Sequence, residues 1–294
     1  MDQPVLLRRS RPGQARCMRI FLTGASGRVG SRTLPRLNAY GHQVHALVRD
    51  PAQADGVRAA GGHPVVGDLL DPDSYRAALE GSDAVVHLAA VVREPEAERV
   101  HRANHEATLL LGRAALDAGI GRFVFASTTL VYPGGLGRPA TEDTPPDPQP
   151  EWGAYPVSKA AAERALLELH PGVRVLRLAF VYGEGDPHLA ESLTWASHWP
   201  SHKRLHTVHH TDVAQAVLRA LHAPGIDGRT YNVADESPVT AWELHALNGV
   251  PFPEGSPDPA DPWHGISDTT RIRAELGFRP LYPSVWSARE AGAL

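Results

Sequence analysis

Short apolar segments alternate with amphipathic stretches along the chain from Met18 onwards. Apolar segments of this length are typical of strands, and the stretches between them have the length and spacing of helices. The predicted strands are MRIFLTG (18–24), VHALVRD (44–50), HPVVGD (63–68), AVVHLAA (84–90), RFVFAST (122–128), VRVLRLA (173–179) and YNVA (231–234). The predicted helices cover residues 28–40, 72–79, 96–118 and 155–169. This alternation predicts βαβ units in a parallel α/β sheet, and the largely continuous apolar strands indicate a sheet that is covered on both faces.

Composition narrows the class of protein. With 294 residues, of which 42% are hydrophobic, the chain is long enough for one large domain or for a domain with a smaller lobe. The net charge of −4 gives no reason to expect nucleic acid or an anionic membrane as a partner. No apolar run reaches about 18 residues, so no transmembrane helix is expected. The single cysteine, Cys17, excludes an internal disulfide framework and a zinc site built from several cysteines.

Residues 1–17 are basic and have no regular pattern. Arg8 and Arg9 resemble the pair of a twin-arginine export signal, but the apolar stretch that such a signal needs does not follow them. We therefore expect a disordered tail, or a start codon assigned too early, with Met18 opening the first strand. A cytoplasmic protein is the expectation that follows.

A glycine-rich segment lies where the first strand turns into the first helix. In TGASGRVG (23–30), Gly24 permits the tight turn, Gly27 lets the backbone approach a pyrophosphate, and Gly30 lets the helix pack on the sheet. The free N–H groups and the positive dipole end of the helix then face the phosphate. The sequence predicts a dinucleotide site that uses the whole loop: Gly24, Ala25, Ser26, Gly27, Arg28, Val29 and Gly30.

The end of the second strand distinguishes between the two nicotinamide dinucleotides. An acid there binds the adenosine ribose 2′-hydroxyl of NAD, whereas an arginine receives the 2′-phosphate of NADP. The sequence has Arg49 followed by Asp50, and Asp50 precedes Pro51, where it is suited to capping a turn. Arg28 adds a second positive charge in the glycine loop. NADP is the preferred interpretation and NAD the alternative; an Arg49 that is only solvated surface would remove the preference.

YPVSK (155–159) opens a predicted helix. Residues four apart share one helical face, so Tyr155 and Lys159 are expected to project together. A free tyrosine has a pKa near 10, too high for a base at pH 7, and a nearby ammonium with a positive nicotinamide ring favours the phenolate. The pair therefore indicates acid–base chemistry beside a nicotinamide, although an ordinary surface lysine beside a half-buried tyrosine has the same spacing.

These residues carry a family resemblance. The chain resembles the extended short-chain dehydrogenase/reductase superfamily, in its NAD(P)-dependent epimerase/dehydratase group, from Met18 almost to its end. The matching motifs are TGxxGxxG (23–30), GDLLD (67–71), HLAA (87–90), FASTTLVY (125–132), YxxxK (155–159), LRLAFVYG (176–183), HxxDVA (209–214), YNVA (231–234) and ELGFRP (275–280).

The resemblance implies a Rossmann-type, doubly wound parallel sheet with a small C-terminal substrate lobe. Residues 18–183 are expected to form the NAD(P)-binding domain, to which 207–234 return. Residues 184–206 and 235–294 are expected to form the lobe. Within the lobe, the segment 251–262 is rich in Pro, Asp and Gly and is predicted to be a loop.

The resemblance also implies a role for individual residues. Thr128 matches the Ser/Thr that hydrogen-bonds the reacting oxygen, Tyr155 the acid–base group, and Lys159 the residue that holds the nicotinamide ribose. Cofactor contacts are implied for Asp68, Leu69, Leu88, Ala89, Ala90 and Asn104, the last as an asparagine that helps to organise the site. In the oxidising direction Tyr155 would take the hydroxyl proton while hydride leaves to the cofactor. An epimerase would carry out this oxidation and its reverse on one bound substrate.

Two departures from the family pattern narrow the chemistry. Sugar-nucleotide 4,6-dehydratases carry an Asp-Glu pair directly after the Ser/Thr, whereas this chain has Thr129 and Leu130, and leucine cannot transfer a proton. The segment from Gly183 to His209, which builds a nucleoside diphosphate site in relatives, is short and has only Lys203 and Arg204 as cations. A small-molecule carbonyl or alcohol is therefore the expected substrate.

The C-terminal third is rich in histidine and tryptophan. We expect no metal site, because Pro200 interrupts the helix that would align the first histidines and no carboxylate motif accompanies them. The tryptophans line an apolar pocket or form the core of the lobe, and the core is the favoured interpretation. The histidines are His198, His202, His206, His209 and His210, and the tryptophans are Trp195, Trp199, Trp242 and Trp263.

The leading functional hypothesis is an NAD(P)-dependent oxidoreductase or epimerase that transfers hydride at a carbinol or carbonyl carbon of a small or sugar-like substrate. The alternatives are a nucleotide-sugar epimerase and a non-catalytic NADP-binding regulator or assembly factor, since fold alone does not decide function. The presence of Thr128, Tyr155 and Lys159 together favours the enzyme. Family analogy suggests a homodimer.

Overall fold

The structure is a computed structural model that describes residues 17–254 and 261–294. The tail predicted for residues 1–17 therefore lies outside the described residues, apart from Cys17, which is exposed. Positions 255–260 of the predicted loop 251–262 also lie outside them.

A seven-stranded sheet, parallel throughout, forms the centre of the protein. The strands of the described chain are β1 (Arg19–Thr23), β2 (Gln43–Val48), β3 (His63–Val66), β4 (Ala84–His87), β5 (Phe123–Thr128), β6 (Val173–Leu178), β7 (Phe180–Tyr182), β8 (Arg204–Leu205), β9 (Thr207–His209), β10 (Thr230–Val233) and β11 (Val239–Thr240). The order in the central sheet is β10-β6-β5-β4-β1-β2-β3. The chain builds β1 to β3 in one direction and β4 onwards in the other, so the switch point lies between β1 and β4, where such sheets bind ligands. The predicted Rossmann-type fold is confirmed.

Helices cover both faces of this sheet. The helices of the described chain, on these faces and beside the sheet, are α1 (Arg28–Ala39), α2 (Ala54–Ala59), α3 (Arg76–Leu79), α4 (Ala97–His101), α5 (Ala107–Asp117), α6 (Ala154–Leu169), α7 (His188–Glu191), α8 (Leu193–Ala196), α9 (His210–His222), α10 (Ala241–Leu247), α11 (Thr270–Leu276) and α12 (Val285–Glu290). Apolar residues of α1 and α9 pack in one core cluster, and those of α5 and α6 pack in another. Successive strand residues point to opposite faces, so Ile20 and Leu22 enter the first cluster and Phe21 the second. This two-sided burial explains the continuous apolar strands.

The predicted helix over 96–118 has an irregular centre. A π-helical segment, Arg102–Glu106, separates α4 from α5 and carries the buried Asn104. Pattern analysis also missed α9, whose first turn is polar. Its N-terminus is capped by a histidine, because the His209 ring accepts a hydrogen bond from the Thr211 N–H at 3.1 Å.

A smaller core cluster lies beside the sheet in the C-terminal part. It brings together Tyr182, Leu189, Ala196, Val239, Leu244, Val285 and Ala288, with Trp195 and Trp199 packed against it. Helix α11 lies in the region that the sequence assigns to the lobe. Its Ile272 and Leu276 nevertheless pack into the first core cluster, together with α1 and α9. Within 17–254 and 261–294, no helix has both the length and the apolar character needed to cross a bilayer.

Candidate active site

The glycine loop joins β1 to α1 at the switch point of the sheet. Gly24 has φ +77°, and a Cβ there would lie 2.6 Å from the Ala89 nitrogen. A Cβ on Gly30 would lie 2.0 Å from the Gly24 carbonyl oxygen. Both distances are shorter than any real contact, so these positions require glycine. The N-terminal end of α1 and its N–H groups are thereby brought to the carboxyl ends of β1 and β4, an arrangement suited to binding a pyrophosphate.

The side chain of Arg28 is directed to the C-terminal part of the protein. Its guanidinium donates to the Glu191 carboxylate at 3.0 and 2.7 Å and lies 3.2 Å from Asp186. Arg93, in the loop after β4, donates to the same Glu191 at 2.7 Å. The positive charge expected beside a phosphate is therefore balanced by carboxylates that lie more than 150 residues away in the chain.

The two residues that follow β2 behave differently from each other. Arg49 is exposed. The Asp50 carboxylate accepts a hydrogen bond from the Ala52 N–H at 2.9 Å and so caps the turn that begins at Pro51. The capping role considered for Asp50 is the one observed.

Asp68 and Leu69 follow β3 in a tight turn. The Asp68 carboxylate accepts from the Leu70 N–H at 2.9 Å, and the Asp68 N–H donates to the Ser74 hydroxyl at 3.0 Å. Leu69 is half-buried against the second core cluster. The turn therefore has a defined conformation at the carboxyl end of its strand, on the same edge of the sheet as the glycine loop.

The segment after β4 is tied both to β1 and to the helix that carries Asn104. Leu88 and Ala89 are half-buried and Ala90 is exposed, and the Ala89 N–H donates to the Thr23 hydroxyl at 3.3 Å. The Asn104 amide holds both backbone groups of Val91: its oxygen accepts from the N–H at 2.7 Å and its nitrogen donates to the carbonyl at 2.8 Å.

Asn104 has a third partner in the helix of the predicted catalytic pair. Its side-chain nitrogen donates to the Ser158 hydroxyl at 3.0 Å, and the asparagine is only 1% exposed. With its oxygen and nitrogen both engaged by protein groups, Asn104 is placed to position the loop after β4 against α6. This agrees with an organising role rather than with direct contact to a ligand.

Thr128 and Tyr155 meet at the carboxyl end of β5. Thr128 is the last residue of that strand, and Tyr155 lies in the first turn of α6. The Thr128 hydroxyl accepts a hydrogen bond from the Leu130 N–H at 3.2 Å and lies close enough to the Tyr155 phenol to influence its pKa. Burial raises the pKa of Tyr155 to about 12, while the neighbouring Thr128 hydroxyl lowers it. In the protein chain by itself, the loss of water around the phenol outweighs the influence of Thr128. The lowered pKa expected from the sequence includes the effect of a positive nicotinamide ring, so it stays a prediction for the protein with its cofactor bound.

Lys159 lies one helical turn after Tyr155 and is 1% exposed. Its ammonium lies 3.9 Å from the centre of the Phe125 ring, a cation–π contact. Burial lowers the pKa of Lys159 to about 7, although the nearby Glu163 raises it. At neutral pH this lysine is therefore close to half-protonated, unlike a surface lysine.

Sequence reasoning missed a buried ion pair directly behind these residues. The Glu163 carboxylate pairs with the Arg177 guanidinium and accepts a hydrogen bond from Ser127 at 2.8 Å. Arg177 also donates to the Tyr132 hydroxyl at 2.8 Å. The sequence does contain a signal for Glu163. It follows Lys159 by four residues, as Lys159 follows Tyr155, so all three side chains lie on one helical face.

Two pockets open near this end of the sheet. The first, of about 30 Å³, begins at Thr129 and Leu130, next to Thr128. Its remaining lining is Tyr132, Pro133, Gly134, Leu136, Ala140, Gln149, Trp152, Trp263, His264, Gly265 and Ile266. The second, of about 350 Å³, shares Trp263 and Ile266 with the first. Leu130, which stands at the sequence position where the resemblance implies a carboxylate in a dehydratase, lines the narrow pocket.

The clustered histidines serve separate contacts. His206 lies by the Asp235 carbonyl at 3.2 Å, His209 by the Ala293 carbonyl at 2.8 Å, and His210 by the Asp186 carboxylate at 2.9 Å. Among the residues that the structure describes, no three His, Cys, Asp or Glu side chains form a group that could hold a metal ion. Trp195 and Trp199 pack against the smaller core cluster beside the sheet, whereas Trp263 lines both pockets.

The parallel sheet, the glycine loop between β1 and α1, and the side chains of Tyr155 and Lys159 on α6 are features of an extended short-chain dehydrogenase/reductase. Enzymes of this class transfer hydride with NAD(P). The chain belongs to the NAD-dependent epimerase/dehydratase family, whose model matches residues 20–234. It therefore uses a nicotinamide dinucleotide, and the cradle formed by Gly24 and Gly30 fits that ligand.

Individual relatives differ in their substrates. The chain is 34% identical over 276 residues to a 4-hydroxy-2-methyl-3-oxo-4-farnesyl-3,4-dihydroquinoline-1-oxide ketoreductase of Stigmatella aurantiaca, covering 90% of this chain and 77% of the relative. It is 28% identical to a 3-diazoavenalumate denitrifying reductase of a Streptomyces species, covering 91% and 97%. Among solved structures, a short-chain dehydrogenase/reductase superfamily protein of Agrobacterium tumefaciens with bound NAD has a TM-score of 0.75 and 27% identity, covering 92% and 95%.

Proposed function

We propose that this protein is an NADP-dependent reductase of a small, uncharged ketone or aldehyde, and catalyses the reverse oxidation of the corresponding alcohol. The observation that carries this proposal is the placement of Thr128 and Tyr155 side by side at the carboxyl end of β5, next to a pocket lined by uncharged side chains and one histidine. Similarity over most of its length to a ketoreductase supports it.

Tyr155 is assigned the role of proton donor in the reducing direction. A phenol whose pKa is raised to about 12 stays protonated at neutral pH, so it can give a proton to the carbonyl oxygen. The reduced nicotinamide supplies the hydride to the carbonyl carbon. Oxidation of the alcohol is the reverse, with the phenolate as base.

Thr128 is assigned the role of holding the reacting oxygen. Its hydroxyl lies at the end of β5 beside Tyr155, so one substrate oxygen can contact both groups. Lys159, one turn further along α6, is assigned to the nicotinamide ribose. Its burial beneath Phe125 gives it one defined position.

NADP is the proposed form of the cofactor. Arg49 is exposed at the end of β2, where it can reach a 2′-phosphate, whereas Asp50 is engaged in capping a turn. Arg28, in contrast, is neutralised by Glu191. A cytoplasmic location, the default expectation from the sequence, and a homodimer, suggested by the family resemblance, complete the proposal.

A nucleotide sugar suits the site less well than a small carbonyl compound. A diphosphate needs cations, and the candidate cations of this region are engaged. Lys203 lies 4.1 Å from the centre of the Trp199 ring, and Arg204 donates to the Pro262 carbonyl at 3.1 and 2.6 Å. Arg273 pairs with Glu236 at 3.0 Å.

Two measurements test the proposal. NADPH and NADH are titrated into the purified protein, and a panel of neutral ketones and aldehydes is then screened by the loss of NADPH absorbance. Tyr155→Phe is expected to retain NADPH binding and to lose about 10²-fold or more of its turnover. Full activity in this variant, or tighter binding of NADH than of NADPH, would contradict the corresponding assignment.

A further inference from the structure

The two pockets share one wall, and the narrow one reaches the residues that directly follow Thr128. Trp263 and Ile266 line both, with the narrow pocket reaching Thr129 and Leu130 and the larger one extending away from them. The narrow pocket, about 30 Å³, is far smaller than the roughly 300–1,000 Å³ usual for a ligand site, whereas the larger one, about 350 Å³, falls within that range. A substrate that reaches Thr128 with its carbonyl and continues past Trp263 would use both spaces.

Trp263 is fixed in place by Arg204. The Arg204 guanidinium lies 4.9 Å from the centre of the Trp263 ring, and it donates two hydrogen bonds to the carbonyl of the preceding residue, Pro262. The N–H of Trp263 donates to the Asp261 carboxylate at 3.0 Å. An indole held on one face by a guanidinium and at its backbone by a carboxylate is a pre-organised aromatic surface.

The segment that carries Trp263 is anchored to the main domain. The Ala140 N–H donates to the Ile266 carbonyl at 2.9 Å, and the Asp268 N–H donates to the Ala140 carbonyl at 2.8 Å. The Ser267 N–H bonds to the His206 ring at 3.2 Å. The wall between the two pockets is therefore held by the loop that follows β5, close to the catalytic cluster.

The narrow pocket is lined by aromatic and apolar side chains. Trp152, three residues before Tyr155, joins Trp263, Leu130 and Leu136 there. No aspartate, glutamate, lysine or arginine belongs to this lining in the described chain, and burial lowers the pKa of His264, which keeps that ring neutral at pH 7. A charged substrate would find no counterion near the reacting atoms.

Most charged groups in the larger pocket have partners, although one Asp235 carboxyl oxygen and the Arg273 Nε are buried without a hydrogen bond to any residue that the structure describes. Arg273 pairs with Glu236 at 3.0 Å, and the Asp268 carboxylate accepts from the Thr270 N–H at 2.7 Å. Burial raises the pKa of Asp235 to about 8, so this carboxyl is largely protonated at pH 7. The space suits a neutral group better than a phosphate.

We propose that the substrate is an uncharged, planar aromatic carbonyl compound, or the corresponding alcohol, whose ring lies against Trp263 while its carbonyl reaches Thr128 and Tyr155. This substrate class rests on the proposed reductase function and makes Trp263 a specificity-determining residue. The remainder of the molecule occupies the larger pocket.

The test compares two neutral ketones and two tryptophans. The holoenzyme is assayed with NADPH against 2-acetylnaphthalene, which is planar and aromatic, and against butane-2,3-dione, which is not. The variants are Trp263→Ala and, as a matched control, Trp242→Ala, since Trp242 is 56% exposed and lines neither pocket. Circular dichroism and NADPH binding confirm that each variant is folded.

The expected result is a higher kcat/KM for 2-acetylnaphthalene, with the ratio of the two kcat/KM values falling about tenfold in Trp263→Ala, as loss of an aromatic contact predicts. Trp242→Ala is expected to keep the ratio. An unchanged ratio in Trp263→Ala, or an equal fall in Trp242→Ala, overturns the assignment.

A binding measurement separates this proposal from the reductase function. Equilibrium dialysis of 2-acetylnaphthalene is carried out with the protein saturated with NADP⁺, and UDP-glucose is added as a competitor. If neither ketone is reduced, the reductase function fails, yet binding that weakens about tenfold in Trp263→Ala still supports an aromatic site. Binding that does not depend on Trp263, or displacement by stoichiometric UDP-glucose, overturns the aromatic site.

Discussion

Ser127 donates a hydrogen bond of 2.8 Å to the carboxylate of Glu163, a residue 36 positions further along the chain. Ser127 directly precedes Thr128, and Glu163 follows Lys159 by one helical turn. This bond therefore joins the strand that presents Thr128 to the helix that presents Tyr155 and Lys159. Arg177 of β6 completes the connection by pairing with the same carboxylate.

Removing Arg177 is expected to destabilise the protein strongly. Arg177→Met leaves the Glu163 carboxylate buried without its partner, which costs about 3–5 kcal/mol of unfolding free energy. Arg229→Met is the matched control, because the Arg229–Glu275 pair is half exposed on the arginine side and is worth at most about 1 kcal/mol. Urea unfolding measures both; a similar small loss in the two variants would show that the buried pair has no special role.

The stability of the protein is expected to depend on the protonation of Lys159. In the unfolded chain the lysine keeps its proton up to its usual pKa of 10.5, whereas burial lowers the pKa in the folded protein to about 7. Between these values the unfolded state binds more protons, so this group makes the unfolding free energy rise as the pH rises.

Lys159→Met removes that dependence. The variant is expected to be more stable than the parent at pH 7 and below, by a few kcal/mol because one pKa unit corresponds to about 1.4 kcal/mol. The difference is expected to shrink as the pH approaches 10. Chemical denaturation at several pH values measures it, and a difference that stays constant with pH would contradict a lowered lysine pKa.

The two directions of the reaction are expected to respond differently to pH. Because the pKa of Tyr155 is raised to about 12, the phenol is protonated throughout the neutral range, so titration of Tyr155 is not expected to lower the rate of reduction between pH 6 and 9. Oxidation needs the phenolate, so its kcat/KM is expected to rise about tenfold per pH unit below the operative pKa. An oxidation rate that does not change with pH would exclude Tyr155 as the base.

Thr128 gives a second test of the catalytic cluster. Thr128→Ser keeps the hydroxyl and is expected to keep most of the activity. Thr128→Val keeps the shape but loses the donor, and is expected to lower kcat about 10²-fold, as loss of one oxyanion donor does. Steady-state kinetics with NADPH compare the two variants. Equal activity would place the substrate oxygen away from Thr128.

The glycine loop between β1 and α1 is expected to tolerate no side chain at position 30. Gly30→Ala places a Cβ 2.0 Å from the Gly24 carbonyl oxygen, so the loop must shift and dinucleotide binding is expected to be lost. Gly56→Ala is the control, because its Cβ meets nothing within 4 Å inside α2 and helix propensity favours alanine. Fluorescence titration with NADPH compares them; unchanged affinity in Gly30→Ala would exclude this loop as the binding site.

Much of this architecture was accessible from local patterns. The apolar runs predicted all seven strands of the sheet. The inner strands are buried on both faces, as Ile20, Phe21 and Leu22 illustrate, whereas the edge strand β3 is only partly covered. The positions of Gly24 and Gly30 were also predictable, since backbone sterics at a strand-to-helix turn leave little choice of residue. The four-residue spacing of Tyr155 and Lys159 sufficed to place both on one helical face.

Contacts between distant segments were decided only by the tertiary structure. Arg28 was expected beside a phosphate, but its partner Glu191 lies 163 positions away and reaches it only once the C-terminal part has folded onto the domain. The pKa of Tyr155 depends on how completely neighbouring elements exclude water, a quantity that no local spacing contains. Trp263 likewise became a pocket wall because Arg204 and the loop after β5 hold it there. Local periodicity determines elements and faces, whereas ion pairing, desolvation and pocket shape arise from packing between residues far apart in the chain.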